Sequence, residues 1–371
     1  MTLIKQIQDH IFLKQLQSKG EVFFVGGCVR DKFLHKQSKD IDLLVTGIPI
    51  NEIIDTIKPF GRIDEVGKSF AVVKFSPVGW IGAAIDIAIP RTEKPSGNGH
   101  KDFIITSDHT LPIEEDLLRR DFTINSVAMN TKDESIVDPF DGMNDLLNGI
   151  IKMTNPQAFI DDPLRMMRAV QFASRFEFEI EDATFDAILD NVEKIKFIST
   201  ERILEELEKI VDPKKCGNPF LGVALLNNTK LYQTIFNTDK VMQVRQPIDF
   251  DAESIDLLDL NLPRLDFMFE LIRPLTNPIQ AWLDLHGDID TANGIKALLL
   301  ASQFNNHKSI NPRVARRVIF DMFKISNVSV TSTIINPILQ ATAKDMIANV
   351  YPISLKQLAI NGDDLIALRM K

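Results

Sequence analysis

Phe23-Phe24-Val25-Gly26-Gly27-Cys28-Val29-Arg30-Asp31, followed by Lys39-Asp40-Ile41-Asp42-Leu43-Leu44-Val45, decides the fold. Glu21 to Val25 is a short apolar run ending in two glycines, the pattern of a buried strand stopped by a tight turn. Cys28 to His35 then reads as the start of a helix. Glycines at a strand-to-helix turn let backbone N–H groups approach an anion, and a helix N-terminus adds favourable partial charge. Arg30 lies one turn inside. Asp40 and Asp42 stand one residue apart on a second β-type run, where alternation sends both carboxylates to one face. Two carboxylates beside a phosphate cradle are costly unless a cation joins them. Mg2+ takes hard oxygen ligands and bridges carboxylates to substrate phosphates. The pattern reads as a nucleotidyl-transfer site.

A Gly-Gly turn or an Asp-x-Asp taken alone is as readily structural as functional. In this order, strand, Gly-Gly, helix, then Asp-x-Asp, they resemble the signature of the tRNA nucleotidyltransferase and poly(A) polymerase family. That is the class II group of CCA-adding enzymes within the DNA polymerase beta superfamily.

Bulk properties bound the rest. The chain of 371 residues allows two to four domains with ample core, and its 44% hydrophobic and 25% charged content is ordinary for a globular protein. No apolar run approaches the length of a membrane span, and the N-terminus lacks a signal-peptide pattern. Cys28 and Cys216 have no metal-like spacing, so a cytoplasmic setting is expected. The net charge of −9 argues against an all-over basic coat but leaves room for local RNA-binding clusters.

Apolar residues at Leu3, Ile7, Ile11 and Leu16 predict a helix over 2–18. Asn51 to Lys58 reads as a helix stopped by Pro59, and Ser69 to Ser76 and Trp80 to Ile89 as two strands. Asp86 lies inside the second, where a carboxylate is expensive without a partner. It is either a partly exposed strand residue or, as in the superfamily, a third acid facing Asp40 and Asp42. Residues 90–112, rich in Pro, Gly, Ser and charge at their start, predict a long loop. In the family a loop here is needed for the final adenosine, and this one is undiminished.

Arg119-Arg120-Asp121-Phe122-Thr123-Ile124-Asn125-Ser126 closely resembles the family's second motif, with Ser126 where Ala is usual. Paired arginines suit a triphosphate, and an aspartate suits a ribose hydroxyl. Asp138 to Leu146 matches the third motif, Asp-x-x-x-Gly-x-x-Asp-Leu, and reads as a turn with a helix cap. Asp161-Asp162-Pro163-Leu164-Arg165 resembles the fourth, with Asp161 in place of Glu. Asp162 and Arg165 are predicted to share a helical face. A fixed carboxylate–guanidinium pair matches the edges of cytosine and adenine and mismatches those of uracil and guanine. An ordinary intrahelical ion pair would use the same residues. Beyond 180 the pattern is helical, with a capped amphipathic helix at Ser199 to Ile210. No His-Asp dipeptide occurs, so the metal-dependent phosphohydrolase module of some relatives is not evident. Arg313, Arg316, Arg317 and Lys324 crowd one helical side, suited either to RNA phosphates or to plain solvation. Leu358 to Leu365 resembles a family tail segment, and the stop at Lys371 predicts a tail that is either short or truncated, with tRNA anchoring the less certain for it.

The resemblance implies an α+β fold: a mixed-sheet nucleotidyltransferase head over 1–145, then an all-helical, nucleotide-selecting neck over 146–212. A helical body over 213–300 and a helical, tRNA-binding tail over 301–371 would follow. It implies Mg2+ on Asp40 and Asp42, with Asp86 as a third catalytic acid. Gly26, Gly27, Arg30, Arg119, Arg120, Asp121, Asn125, Asp162, Arg165 and Arg168 would bind nucleotide. The implied reaction is template-independent addition of CMP, CMP and AMP to tRNA 3′ ends from CTP and ATP. The alternatives are a poly(A) polymerase or A-adding enzyme of the same family and, against the intact Asp-x-Asp, a non-catalytic RNA-binding relative. Neither a membrane nor an obligate protein partner is indicated.

Overall fold

The computed structural model describes residues 3–38, 40–65, 72–95, 103–212, 215–240, 275, 277–285, 287, 289–302 and 318. The chain divides into two compact units, Met1–Ile198 and Ser199–Lys371.

The first unit is built on a seven-stranded sheet. Its strands are β1 (Glu21–Val25), β2 (Asp42–Thr46), β3 (Gly61–Glu65), β4 (Val72–Pro77), β5 (Ile85–Ala88), β8 (Ala128–Asn130) and β9 (Ile136–Val137), in the order β3-β4-β5-β2-β1-β8-β9. All neighbours are antiparallel except β2 and β5, which run parallel, so the sheet is mixed as expected.

Both faces of the central strands are covered, which is why β1 and β2 read as continuous apolar runs. Val22, Phe24, Leu43 and Val45 pack on one side with α1 (Leu3–Gln8), α2 (Ile11–Gln17) and α4 (Ile50–Ile57). Phe23, Val25 and Leu44 pack on the other with Ile113 and Leu117 of α5 (Ile113–Leu118). Phe12, Leu13 and Leu16 of α2 are fully buried, and each contributes about 1.5–3 kcal/mol by leaving water.

The single helix expected over 2–18 is two. The step from Ile7 to Phe12 is five residues, too long for one helical stripe, and His10 takes an extended conformation to restart it. Pro59 enters a 3-10 turn at Lys58–Phe60 that leads into β3, an edge strand the sequence pattern hid because only Ile63 is a large apolar residue in it. The loop expected over 90–112 is corrected: Arg91–Pro95 (β6) and Phe103–Ser107 (β7) form an antiparallel hairpin, from Arg91 opposite Ser107 to Pro95 opposite Phe103. The β-branched run Ile104-Ile105-Thr106 favours pairing over coil. Its connection, 96–102, lies outside the described residues, as does 69–71 of the strand expected at Ser69.

After the sheet come α6 (Gly142–Asn148), α7 (Ala158–Asp161), α8 (Leu164–Phe176) and α9 (Asp182–Asn191). A small parallel ladder joins Ile150–Ile151 (β10) to Glu179–Ile180 (β11). In the second unit all described elements are helical: α10 (Thr200–Val211), α11 (Pro219–Asn228), α12 (Leu231–Phe236), Pro278–Asp284 and Ile289–Ser302. Ser199 takes the N-cap position of α10 as expected, but its side chain makes no capping bond, whereas Asn218 caps α11 through Leu221 N. Among the described residues no helix is long and apolar enough to cross a membrane. The loop expected at Arg245-Gln246-Pro247, the basic cluster Arg313, Arg316, Arg317 and Lys324, and the tail segment Leu358–Leu365 lie outside the described residues.

Candidate active site

The turn between β1 and α3 (Gly27–Phe33) sets the site. Gly26 has φ +71°, a left-handed conformation that an L side chain rarely adopts. A Cβ there would also lie 2.7 Å from Nη1 of Arg120 and 3.7 Å from Oδ2 of Asp42. The bare backbone of Gly26 therefore lets one cation and one carboxylate converge over the turn.

Asp42 opens β2 and shares the parity of Leu44, so it faces the side of the sheet covered by α5. Its parallel register partner is Asp86 on β5, and Asp86 in turn faces Lys74 on β4. Lys74, Asp86 and Asp42 thus form one row across three strands. The Lys74 ammonium lies 3.3 Å from the Asp86 carboxylate. Asp40 differs from expectation in one respect: it precedes the strand, exposed, although Ile41 between the two aspartates is buried as alternation requires. The ladder ends there because Ile41 O accepts from Asp86 N and pairing goes no further. Burial raises the Asp42 carboxyl; Arg120 opposes, Asp86 and Asp40 add to the rise, and the net shift is upward. Cys28 is buried, its thiol donating to Val25 O at 3.3 Å and pushed up to about 11 by desolvation.

Asp116, which sequence reasoning passed over, anchors both arginines. It is fully buried, its Oδ1 accepting from Nε and Nη2 of Arg119 and its Oδ2 from Nη2 of Arg120 at 3.0 Å. Burial would raise its carboxyl, but Arg120 and Arg119 together hold it below the usual range. The signal was present: an acid three and four residues before two arginines on a helix is an ion-pair spacing. Arg120 Nε is buried and makes no hydrogen bond.

Asp121, Asn125, Arg30 and Arg168 form a second, connected group. Asp121 is 7% exposed; its Oδ1 accepts from Phe122 N and Asn125 Nδ2, and its Oδ2 from Nε and Nη2 of Arg168 at 2.8 and 2.6 Å. Burial would raise its carboxyl; Arg168, Asn125 and Arg165 outweigh it and hold the value at about 2. Arg30 is only 5% exposed. It donates to Asp31 through Nε and Nη2 and to Asn125 Oδ1 at 2.6 Å, and its guanidinium lies over Phe172 and Phe176 of α8. Arg30 is thus set among protein groups behind the turn, while Arg120 lies over it.

Asp162 precedes α8 rather than lying on its face. Its Oδ1 accepts from Leu164 N, a capping bond, and Pro163 takes the N-cap position. Arg165, in the first turn, donates from Nη2 to the carbonyl of Arg119 at 2.6 Å and from Nη1 to that of Ala158. The third motif behaves as read: both carboxylate oxygens of Asp138 accept from N–H groups at the start of α6. Gly142 packs so tightly that a Cβ would overlap Thr123 O, and Asp145 accepts from Thr123 Oγ1 at 2.7 Å.

Comparison with known proteins agrees with this geometry. Residues 22–152 match the family described as "Poly A polymerase head domain", and 177–238 match the "Probable RNA and SrmB- binding site of polymerase A". A CCA-adding enzyme of Lactobacillus delbrueckii subsp. bulgaricus is 38% identical over 221 residues, covering 57% of this chain and 53% of the relative. A multifunctional CCA protein of Nitrosococcus oceani is 37% identical over 193 residues, 51% of this chain and 44% of the relative. The chain spans about half the length of the curated relatives it matches. Among solved structures, a Thermotoga maritima CCA-adding enzyme complexed with tRNA aligns with a TM-score of 0.67 at 22% identity, over 98% of this chain and 85% of that one. A CCA-adding enzyme complexed with ATP aligns with a TM-score of 0.68 at 22% identity, over 99% and 86%. These structural likenesses show a shared fold.

Proposed function

We propose, from the match of residues 22–152 to the poly A polymerase head domain and of 177–238 to the polymerase A RNA-binding region, that this chain is a tRNA nucleotidyltransferase. It would add CMP, CMP and AMP to tRNA 3′ ends from CTP and ATP, without a template and with release of pyrophosphate. The observation that carries the reading is the convergence of Asp42 and Arg120 over the bare turn at Gly26, with Asp86 in register beside Asp42.

The donor set fits Mg2+. Asp42 is crowded by Asp40 and Asp86, and Oδ1 of Asp86, buried without a hydrogen bond, faces the Lys74 ammonium at 3.3 Å. Among the described residues no group of three or more His, Cys, Asp or Glu is placed to hold a metal by itself. An ion here would be held by Asp40 and Asp42 and completed by substrate phosphates. Bound there, Mg2+ would supply charge neutralisation for the triphosphate and acidify the attacking 3′-hydroxyl.

The chain's own groups do the rest. Arg120, pinned by Asp116, faces the triphosphate beside the Gly26 and Gly27 turn, with Arg119 next to it. Asp121, held ionised by Arg168 and aligned by Asn125, accepts from the ribose hydroxyl. Asp162 and Arg165 present an acceptor and donors to the base edge, which selects C and A over U and G. Arg30 steadies this group from behind. The head, neck, body and tail boundaries at 145, 212 and 300, with tRNA held by the tail, belong to the same reading. So does a cytoplasmic setting, in keeping with two free cysteines.

The test is incubation with tRNA lacking its last three nucleotides and CTP alone, ATP alone, or both. Addition of C, C and A that then stops is expected. A long A tract on generic RNA would instead mark a poly(A) polymerase, and ATP incorporation only after C-C is supplied would mark an A-adding enzyme. Asp42→Ala should lower incorporation about a thousandfold; full activity in that variant would point to a non-catalytic role for the site.

A further inference from the structure

Three cations surround one ring at the end of α8. The Arg30 guanidinium carbon and the Lys36 ammonium each lie 4.8 Å from the centroid of Phe176, and the Arg175 guanidinium carbon lies 5.0 Å from it. Phe176 stacks on Phe172 with planes 6° apart, and Phe172 carries Arg30 and Arg168.

The carboxylates on the facing elements are already engaged. Asp31 on α3 bonds Arg30, and Asp121 bonds Arg168 and Asn125. Glu177, just past α8, is exposed in a left-handed conformation and has a partner of its own. Among the described residues no ion pair joins Lys36 or Arg175 to a carboxylate. Lys36 is exposed and Arg175 half-buried, so both reach solvent. A cation at a helix C-terminus complements the helix dipole, which accounts for one basic group per helix end. It gives no reason for a cation from α8 and one from the segment after α3 to share one ring with a buried third. Cation–π attraction orients them, and Asp31 offsets only Arg30, so the charges of Lys36 and Arg175 are left for an outside anion to neutralise.

We propose that Lys36 and Arg175, gathered on Phe176 around the buried Arg30, hold a phosphodiester of the RNA strand that receives the new nucleotide. The inference rests on the nucleotide-adding reading given above. The incoming triphosphate has a cation of its own, Arg120, over the Gly26 turn, while Arg30 is engaged by Asp31 and Asn125. Lys36 lies beyond the C-terminal end of α3, whose N-terminus makes the Gly26 turn, a helix of seven residues and about 10 Å. Arg175 is ten residues past Arg165, about 15 Å along α8. The remaining phosphate-bearing reactant is the RNA.

The experiment measures binding of the full chain to labelled tRNA lacking its last three nucleotides, as a function of KCl concentration, beside binding of CTP. Lys36→Met and Arg175→Met should each weaken RNA binding about fivefold at fixed salt. Each should also lower the slope of log affinity against log salt by about 0.7, the value for one contact to a single strand. Lys36→Arg and Arg175→Lys should restore the slope, and CTP affinity should not move. An unchanged slope and affinity in folded Lys36→Met overturns the proposal. So does a loss of CTP affinity with the RNA slope kept, which would give the anion to the nucleotide. A chain that binds RNA with this salt dependence yet adds no nucleotide would refute the functional reading and leave the site standing.

Discussion

Asp116 makes no contact that chemistry requires, yet two arginines depend on it. Both partners are about one-fifth exposed, and removing one member of such a pair strands charge in the interior. Asp116→Ala should therefore cost about 3 kcal/mol of stability in urea unfolding and raise KM for nucleotide. A variant as stable as the parent would show that the arginines find other partners. Asp121 makes a different prediction because its carboxyl sits at about 2 against an ordinary 3.8. A depressed value means stability that is complete above about pH 4 and is lost as pH falls toward 2, about 2 kcal/mol in all. Asp121→Asn should lack this acid limb, so the stability gap between parent and variant should narrow from pH 6 to pH 3. At this scale the sequence offered candidates more readily than what each touches. Asp42 stood out by its spacing from Asp40, and Arg120 and Arg165 by their place in motifs that resemble the family's. That Arg30 is sealed between aromatic rings was not legible, because Phe172 and Phe176 lie more than a hundred residues away and only the folded chain brings them over it.

Elements are positioned here by close backbone approaches that side chains would prevent. The start of α6 sits against the 3-10 turn Thr123–Asn125, with Gly142 in contact with Thr123 O. Gly142→Ala should force the two apart and cost about 1–3 kcal/mol, read as a lowered melting temperature, with Asn125 displaced from Arg30. Gly26→Ala should cost about 1–2 kcal/mol for its left-handed backbone and, by pushing Arg120 aside, weaken CTP binding more than RNA binding. Equal losses for both ligands would mean the turn serves stability alone. The strands β1 and β2 were legible because both their faces are buried and the apolar run is unbroken. The hairpin at 91–107 was not, since Gly, Pro and Ser in its connection mask pairing that only the opposing strand reveals. The break between α1 and α2 lay in the spacing all along.

At the scale of the molecule, the chain parts at residue 198, and both described apolar clusters of the first unit are complete within it. A fragment of residues 1–198 should therefore unfold in urea as one cooperative transition, and a broad, featureless loss of helix signal would show that it needs the rest of the chain. Within that unit Arg165 grips the carbonyl of Arg119, one residue from the guanidinium over the turn. A base whose edge draws Arg165 out of place would tug on that carbonyl and unsettle the neighbouring arginine as well. If the proposed function holds, misfit would then register as slowness and not merely as loose attachment: a wrong nucleotide would lodge against Arg165 and stall there.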